Sequence, residues 1–363
     1  MADYPMRIES SFPIPPGETV RETLQHLHMS QAELAARAGR PEKTISQICN
    51  GKRAITPETA IEFERVLGVP AHIWNKLERG YRAAIARIEE EKNLAQEAEL
   101  ARDFPYNEMA KLGWVEKTRD RIERARNLLR FFGVASLSLL DEQPAAVFRV
   151  GTCSDPSDCA LIAWLRAGTL HALEMQTQSF DRGGVEKSVP LLRELTLQPV
   201  ADAVTRVKDT LSEHGVAVAL VPALPKTAAH GATHWLGTDK AILQLSDRYK
   251  RADIFWFSFF HEIGHLLLHG KRPGVYVNRT DRQHDAKERE ADEFAAETLI
   301  PRHAYDELVS GKSFSAIIVR DFADAIGIHP GIVVGRLQHD GLIAHNRLNS
   351  LREEFDLSEI EHQ

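Results

Sequence analysis

Cysteine is scarce in this sequence, three in 363 residues, which excludes a disulfide-stapled scaffold and a cysteine-built zinc module. Cys49, Cys153 and Cys159 make no framework, and the spacing of the last two matches no redox motif. All three read as structural thiols of a protein kept in a reducing compartment. No apolar run reaches the length of a membrane span. The first residues, Met1 to Pro16, mix charges with prolines at 5, 13, 15 and 16 and contain no apolar core of a secretory leader. The expectation is a cytoplasmic protein, associated with the nucleoid if it binds DNA, and without a membrane partner. A basic surplus is lacking too: the formal net charge is −7, so a surface for nucleic acid has to be local.

What is present is a chain long enough for two or three domains, 43% hydrophobic and 27% charged. Its most informative stretch runs from Phe255 to His269, apolar throughout its first half and carrying His261, Glu262, His265 and His269 toward its end. An apolar helix of this kind is buried, and buried imidazoles and carboxylates need partners. On a helix, His261 and His265 lie one turn apart on one face, the H-E-x-x-H spacing with which two imidazoles bind one metal ion. Glu262, at the neighbouring angular position, reaches a metal-activated water rather than the metal and suits a general base. A chance H-E-x-x-H usually lacks both the apolar setting and a third ligand.

The third ligand is expected on the following helix, between His284 and Pro301, where Ala291, Phe294, Ala295, Thr298 and Leu299 form an apolar stripe. Glu288 and Glu290 compete. Glu288 is preferred because Asp292 follows it by four residues on the same face and can orient a ligand imidazole from behind. At this point the chain resembles the ImmA/IrrE metallopeptidases, through H-E-x-G-H-x-x-x-H at 261–269 and E-x-E-A-D-x-F-A-x-x-x-L-I-P at 288–301. The resemblance covers roughly residues 216–345. It implies a zincin fold with one zinc per chain, held by His261, His265 and Glu288, and with Glu262 as catalytic base. Tyr276, His269 and His284 are candidates to stabilise an oxyanion, and His234 to touch substrate.

A second motif lies near the start. Thr19–Leu27 reads as a helix. Ser30 and Glu33 make a capping box, Gly39 supplies a left-handed turn, and Pro41 to Gly51 reads as a second helix, together a helix-turn-helix. Its outer face carries Lys43, Thr44, Ser46, Gln47 and Asn50, with Arg40, Lys52 and Arg53 alongside, residue types that pair with base edges and phosphates in a major groove. From Pro13 to Tyr81 the stretch is similar to HigA-type antitoxins of the Xre repressors. That likeness implies a homodimer on its own double-stranded DNA operator. Pro41 and Arg40 depart from the family's usual small polar cap and aliphatic residue, a departure that touches base-level specificity.

Between the two motifs, a long helix from Leu77 to Arg102 ends at Phe104-Pro105. Helices are then expected near 106–112, 118–132, 156–177, 186–195 and 200–213, the third capped by Asp155, with Trp164, Leu165 and Leu170 as core. Strands are expected at 216–224, 231–236 and 240–245, with 231–236 as the free edge beside the metal, and Lys271–His284 as a loop. A second helix–glycine–helix run at 317–337 is too aliphatic for a DNA reader, and the acidic residues after Arg352 read as solvated.

The fold class is thus mainly α with a small β-sheet (α+β). It comprises a flexible arm (1–16), an all-α helix-turn-helix domain (17–81), a helical connector (82–215), a zincin-like metallopeptidase domain (216–345) and an acidic tail (346–363). The leading expectation is a DNA-binding regulator whose zinc endopeptidase domain cleaves a protein substrate, such as a partner repressor. The alternatives are a non-catalytic regulator that senses a ligand or metal through a peptidase-like fold, and an antitoxin that neutralises a cognate toxin.

Overall fold

The computed structural model describes residues 13–142, 156–270, 276–279 and 286–357, the side chains of residues 141–142 and 276–279 excepted. The arm before Pro13, Cys153, Asp155, His284, the Tyr276 side chain and the tail after Leu357 lie outside the described residues. The chain divides into two units, Met1–Gln96 and Glu97–Gln363.

The first unit holds α1 (Pro16–His26), α2 (Gln31–Ala38), α3 (Glu42–Cys49), α4 (Pro57–Leu67) and most of α5 (Ala71–Leu100). Local chemistry sets its corners. Ser30 Oγ accepts from Glu33 N at 3.1 Å, opening α2. Gly39 closes α2 in the left-handed region at φ 64°, and Gly68 closes α4 at φ 75°. Val20, Leu34, Ile45, Ile48, Phe63 and Trp74 are buried to within 1% and form the core. The Trp74 indole N–H donates to Val69 O at 3.1 Å while its ring meets Phe63 edge-on at 5.8 Å.

The second unit opens with α6 (Tyr106–Lys111), α7 (Arg121–Phe132), α8 (Leu139–Glu142), α9 (Pro156–Glu174), α10 (Arg182–Glu194) and α11 (Val200–Ser212). A sheet comes next, of β1 (Val216–Leu220), β2 (Ala229–Leu236), β3 (Lys240–Leu245) and β4 (Tyr276–Arg279), ordered β1-β3-β2-β4. The β1–β3 pair is parallel, and β2 runs antiparallel to both β3 and β4. Expectation and structure differ here. The strand 231–236 is not a free edge, because β4, inside the stretch read as a loop, pairs with Ala229–Thr233. Four residues without a hydrophobic alternation carry no strand signal in the sequence.

The period-2 alternation of β2 sends its side chains to opposite faces. Toward one face, His234 Nε2 lies 3.2 Å from Thr169 Oγ1 of α9, and the Gln244 amide donates to Trp164 O at 2.7 Å. Toward the other, Thr233 meets α12 (Ala252–Gly264). The main core lies on this second face, where Val216, Val218, Leu243 and Leu245 pack with Phe255, Trp256, Phe259 and Phe260. The chain then runs through α13 (Ala286–Leu299), α14 (Arg302–Ser310), α15 (Ala316–Ile326) and α16 (Pro330–His339). Arg193 of α10 joins two helix ends, donating to Thr298 O, Leu299 O and Ile326 O at 2.7–3.0 Å.

Two further expectations need correction. The residues after Arg352 are not a solvated tail as far as Leu357, since Phe355 and Leu357 are buried and Arg352 grips Asp253 through two hydrogen bonds. The aromatic and aliphatic residues in that segment outweigh its acidity. Cys159 is disulfide-bonded rather than a free thiol, whereas Cys49 is free and buried. No helix among the described residues is long and apolar enough to cross a membrane.

Gly17 carries α1 close against the end of α3: a Cβ there would overlap the carbonyl oxygens of Ile48 and Cys49. Since backbone rather than a flexible side chain must yield, Gly17→Ala is expected to destabilise the first unit by about 1–3 kcal/mol. Hydrogen exchange of the α1–α4 amides measures this, and unchanged protection would show that the contact is slack.

Candidate metal centre and nucleic-acid interface

The metal candidates sit where α12 and α13 approach closely. Gly264 permits the approach, since a Cβ on it would stand 3.2 Å from Ala291 Cα. The close crossing brings Glu288 over the two imidazoles of α12. His261 Nε2 and His265 Nε2 lie 3.0 Å apart, and the Glu288 oxygens lie 3.2 Å from the first and 3.5 Å from the second. Tetrahedral ligation with bonds of about 2.0–2.1 Å would separate the donor atoms by roughly 3.3 Å. Two imidazoles and one carboxylate thus converge as a three-ligand metal site requires. His261, His265 and Glu288 are also the group that could hold an ion among the described residues.

Outer partners fix each ring. His261 Nδ1 donates to Asp292 Oδ1 at 2.8 Å, leaving the Nε2 lone pair free for a metal. α12 continues into a π-helical turn, His265–His269, whose wider coil sets His269 Nδ1 3.0 Å from His265 Nδ1. His269 Nε2 in turn lies 3.0 Å from Glu290 Oε2. The two competing glutamates therefore separate: Glu288 faces the ligand nitrogens and Glu290 supports His269.

Glu262 is fully buried. The Thr233 hydroxyl donates to its Oε2 at 2.7 Å, and its Oε1 is buried without a partner among the described residues. Gly231, on the same face of β2, clears the space, for a Cβ there would come within 2.7 Å of Oε1. Burial pushes the Glu262 carboxyl up to about 8, against the opposing pull of His261 and the Thr233 hydroxyl. Burial also disfavours charge on His261, but hydrogen bonds to Asp292 and Glu288 outweigh it and raise that imidazole. Burial lowers His265 despite Glu288. Glu288 itself, though partly buried, is held below the usual carboxylate range by the two imidazoles. Two imidazoles and the Glu288 carboxylate, backed by Asp292, are a donor set suited to a divalent cation.

The other candidates fall elsewhere. His234 does not face this cleft: it is 1% exposed on the opposite face of β2, and burial lowers it to about 4. His269 is committed to His265 and Glu290, an orienting position rather than one open to substrate. Thr233, which sequence reasoning passed over, is the residue that holds Glu262. Its signal was the period-2 register of the strand, which sets residues 231 and 233 on one face and 234 on the other.

On the helix-turn-helix, Lys43, Asn50, Lys52 and Arg53 are exposed and Ser46 and Gln47 half-buried. Two of the expected residues are engaged within the unit itself. Thr44 is buried at 8% and packs inward, since it precedes the core residue Ile45 on the inner arc of α3. Arg40 is occupied by the Glu62 carboxylate of α4, with hydrogen bonds of 2.7 and 3.0 Å. The Asn50 amide turns back to Ser46 O at 2.8 Å. Lys43, Ser46 and Gln47, flanked by Lys52 and Arg53, are left with solvent-accessible surface on and just after α3.

Comparison with known proteins finds two families. Residues 20–74 match the helix-turn-helix family, and residues 212–312 match the IrrE N-terminal-like domain, a peptidase family. Over 71 residues the chain is 34% identical to the uncharacterized HTH-type transcriptional regulator YddM of Escherichia coli (strain K12), covering 20% of this chain and 76% of that one. Among solved structures it is similar to an addiction module antidote protein of a HigA family from Coxiella burnetii, 32% identical, covering 23% of this chain and 92% of that one at a TM-score of 0.22. It is also similar to the Pseudomonas aeruginosa antitoxin HigA solved with the higBA promoter, 31% identical, covering 23% and 90% at a TM-score of 0.22.

The geometry separates the glutamates in a measurable way. Glu288→Gln is expected to weaken divalent-metal binding at least about 100-fold, because a ligand is lost, and Glu290→Gln less than about tenfold, as a remote orienting partner. Competition with a chelator reports both. Equal losses would mean that α13 offers its ligand differently.

Proposed function

We propose that this chain, which belongs to the helix-turn-helix transcriptional regulators through residues 20–74 and carries an IrrE N-terminal-like domain at 212–312, is a DNA-binding regulator with a zinc endopeptidase domain. The observation that carries the peptidase reading is Glu262, fully buried with one oxygen unpartnered, beside the converging His261, His265 and Glu288. A structural carboxylate so placed would be a liability; a general base needs that vacant oxygen.

His261, His265 and Glu288 would hold the zinc, and when bound it supplies the Lewis acidity that activates water and polarises a peptide carbonyl. Glu262 takes the proton of the attacking water at Oε1 and passes it to the leaving amine, so that the base of the first step is the acid of the second. Thr233 keeps Oε2 occupied, which leaves Oε1 as the basic oxygen. Asp292 holds the His261 ring against rotation. Burial raises the proton affinity of this carboxyl, the direction a general base requires.

The DNA half of the reading rests on the exposed Lys43, Lys52 and Arg53 around half-buried Ser46 and Gln47, a local basic face on an acidic chain. A homodimer on an operator, and a protein substrate such as a repressor or toxin, complete the proposal.

The decisive experiment pairs zinc content with cleavage of candidate partners. Native protein is expected to hold about one zinc per chain. Glu262→Gln should keep zinc and DNA binding and lose cleavage by about 10²–10⁴-fold, as removal of a general base does; cleavage at the native rate would remove Glu262 from the mechanism. Thr233→Val should shift the acid limb of the kcat/KM profile to higher pH, because the lost hydrogen bond no longer favours the ionised carboxylate. A limb that moves down or stays would assign it to another group. Lys43→Ala combined with Gln47→Ala is expected to weaken operator binding and flatten its salt dependence, with zinc content unaltered. An unchanged footprint would place the DNA surface elsewhere.

A further inference from the structure

A cavity of about 280 Å³ lies in the second unit, between α6–α7 and α9, apart from the metal centre. Its walls include Trp114, whose ring stacks on Phe131 at 6.2 Å and 6° between planes, together with Leu170. Two guanidiniums line it, Arg166 from α9 and Arg130 from α7. Arg166 is fixed at one point: its Nε–H donates to Phe131 O at 2.9 Å. Gly133, in the left-handed region at φ 69°, leaves room for the rest of the guanidinium, its absent Cβ 3.4 Å from Nη2. Arg130 makes one long bond, to Asn127 Oδ1 at 3.4 Å.

Neither arginine pairs with a carboxylate among the described residues. Glu116, the carboxylate on the lining, is exposed and joins neither. Two arginines elsewhere in this unit are neutralised, Arg352 by Asp253 and Arg336 by Asp340. Partial burial of Arg166 lowers its pKa with no nearby acid to offset the cost of desolvation. A half-buried guanidinium with its outer N–H groups turned to a cavity is suited to an anion, which it can bind through two parallel hydrogen bonds. The flat aromatic wall suits a ring.

We propose that this cavity binds a small organic anion, a carboxylate or phosphate on a flat aromatic body, with Arg166 and Arg130 taking the anionic group and Trp114, Phe131 and Leu170 the ring. The site gives the regulator an effector input in the stretch of chain that links its DNA-binding helices to its metal helices. It does not depend on the metal reading.

Calorimetric titration of the full chain in the presence of a chelator tests it, with naphthoate and phenyl phosphate as anionic probes and naphthylmethanol as the neutral counterpart. Saturable binding of at least one anion is expected, about tenfold or more tighter than the neutral probe, the scale of one charge-assisted hydrogen bond. The anion that binds names the carboxylate or phosphate class. Arg166→Gln should weaken binding at least about tenfold and Arg166→Lys less, since Lys keeps the charge without the fork. Arg166→Gln also removes the bond to Phe131 O, so Arg130→Gln, at an exposed side chain, provides a second test and should cost several-fold. Saturation by neither anion would overturn the proposal. So would equal affinity for naphthylmethanol, or native affinity in both Gln variants.

Discussion

Charge buried in an apolar helix is the constraint on which the second unit turns. His261, Glu262 and His265 are set among Phe259, Phe260 and Ile263, all at most 1% exposed, where an unpaired ionisable group costs several kcal/mol (about 2–7 for a polar group left without a hydrogen bond). Each neighbouring element answers that cost. α13 supplies Glu288 and Asp292, the π-helical turn supplies His269, and β2 supplies Thr233. The sheet and helices are placed so that polar groups arrive where α12 needs them. Gly264 and Gly231 are small because the site needs that space.

The settlement is incomplete at one atom. Each side-chain nitrogen and oxygen of His261, His265 and Glu288 has a partner within the cluster, whereas the neighbouring Glu262 Oε1 has none among the described residues. Unmet hydrogen-bonding capacity on a buried carboxylate calls for an explanation, because folding alone would favour filling it. Arg166 presents a milder case on the other side of the sheet, where a guanidinium faces a cavity without its counter-ion. Buried atoms without a partner among the described residues also occur at His230, His234 and Gln244, so what distinguishes Glu262 is its place beside the converging His261, His265 and Glu288.

The two units rest on different physics. The helix-turn-helix is stabilised by short-range signals: a serine cap, left-handed glycines and a compact aliphatic core. Lys43, Lys52 and Arg53 stay at its surface, where a charge costs little. The candidate metal centre depends on groups far apart in sequence, His261 and Asp292 standing 31 positions apart.

The sequence by itself determined the features that local periodicity and spacing control. Both helices of the helix-turn-helix, the apolar metal helix with His261 and His265 one turn apart, and the preference for Glu288 through its shared face with Asp292 all come from 3.6 residues per turn. Only the tertiary structure decided the partners. That His234 turns to α9 while Thr233 holds Glu262 depends on which face of β2 meets which helix. Glu62 engages Arg40, and Leu357 is buried, because distant surfaces meet them. β4 becomes a strand because β2 offers it an edge, with no alternation of its own to announce it. Sequence spacing fixes which side chains share a face; long-range packing fixes what that face touches.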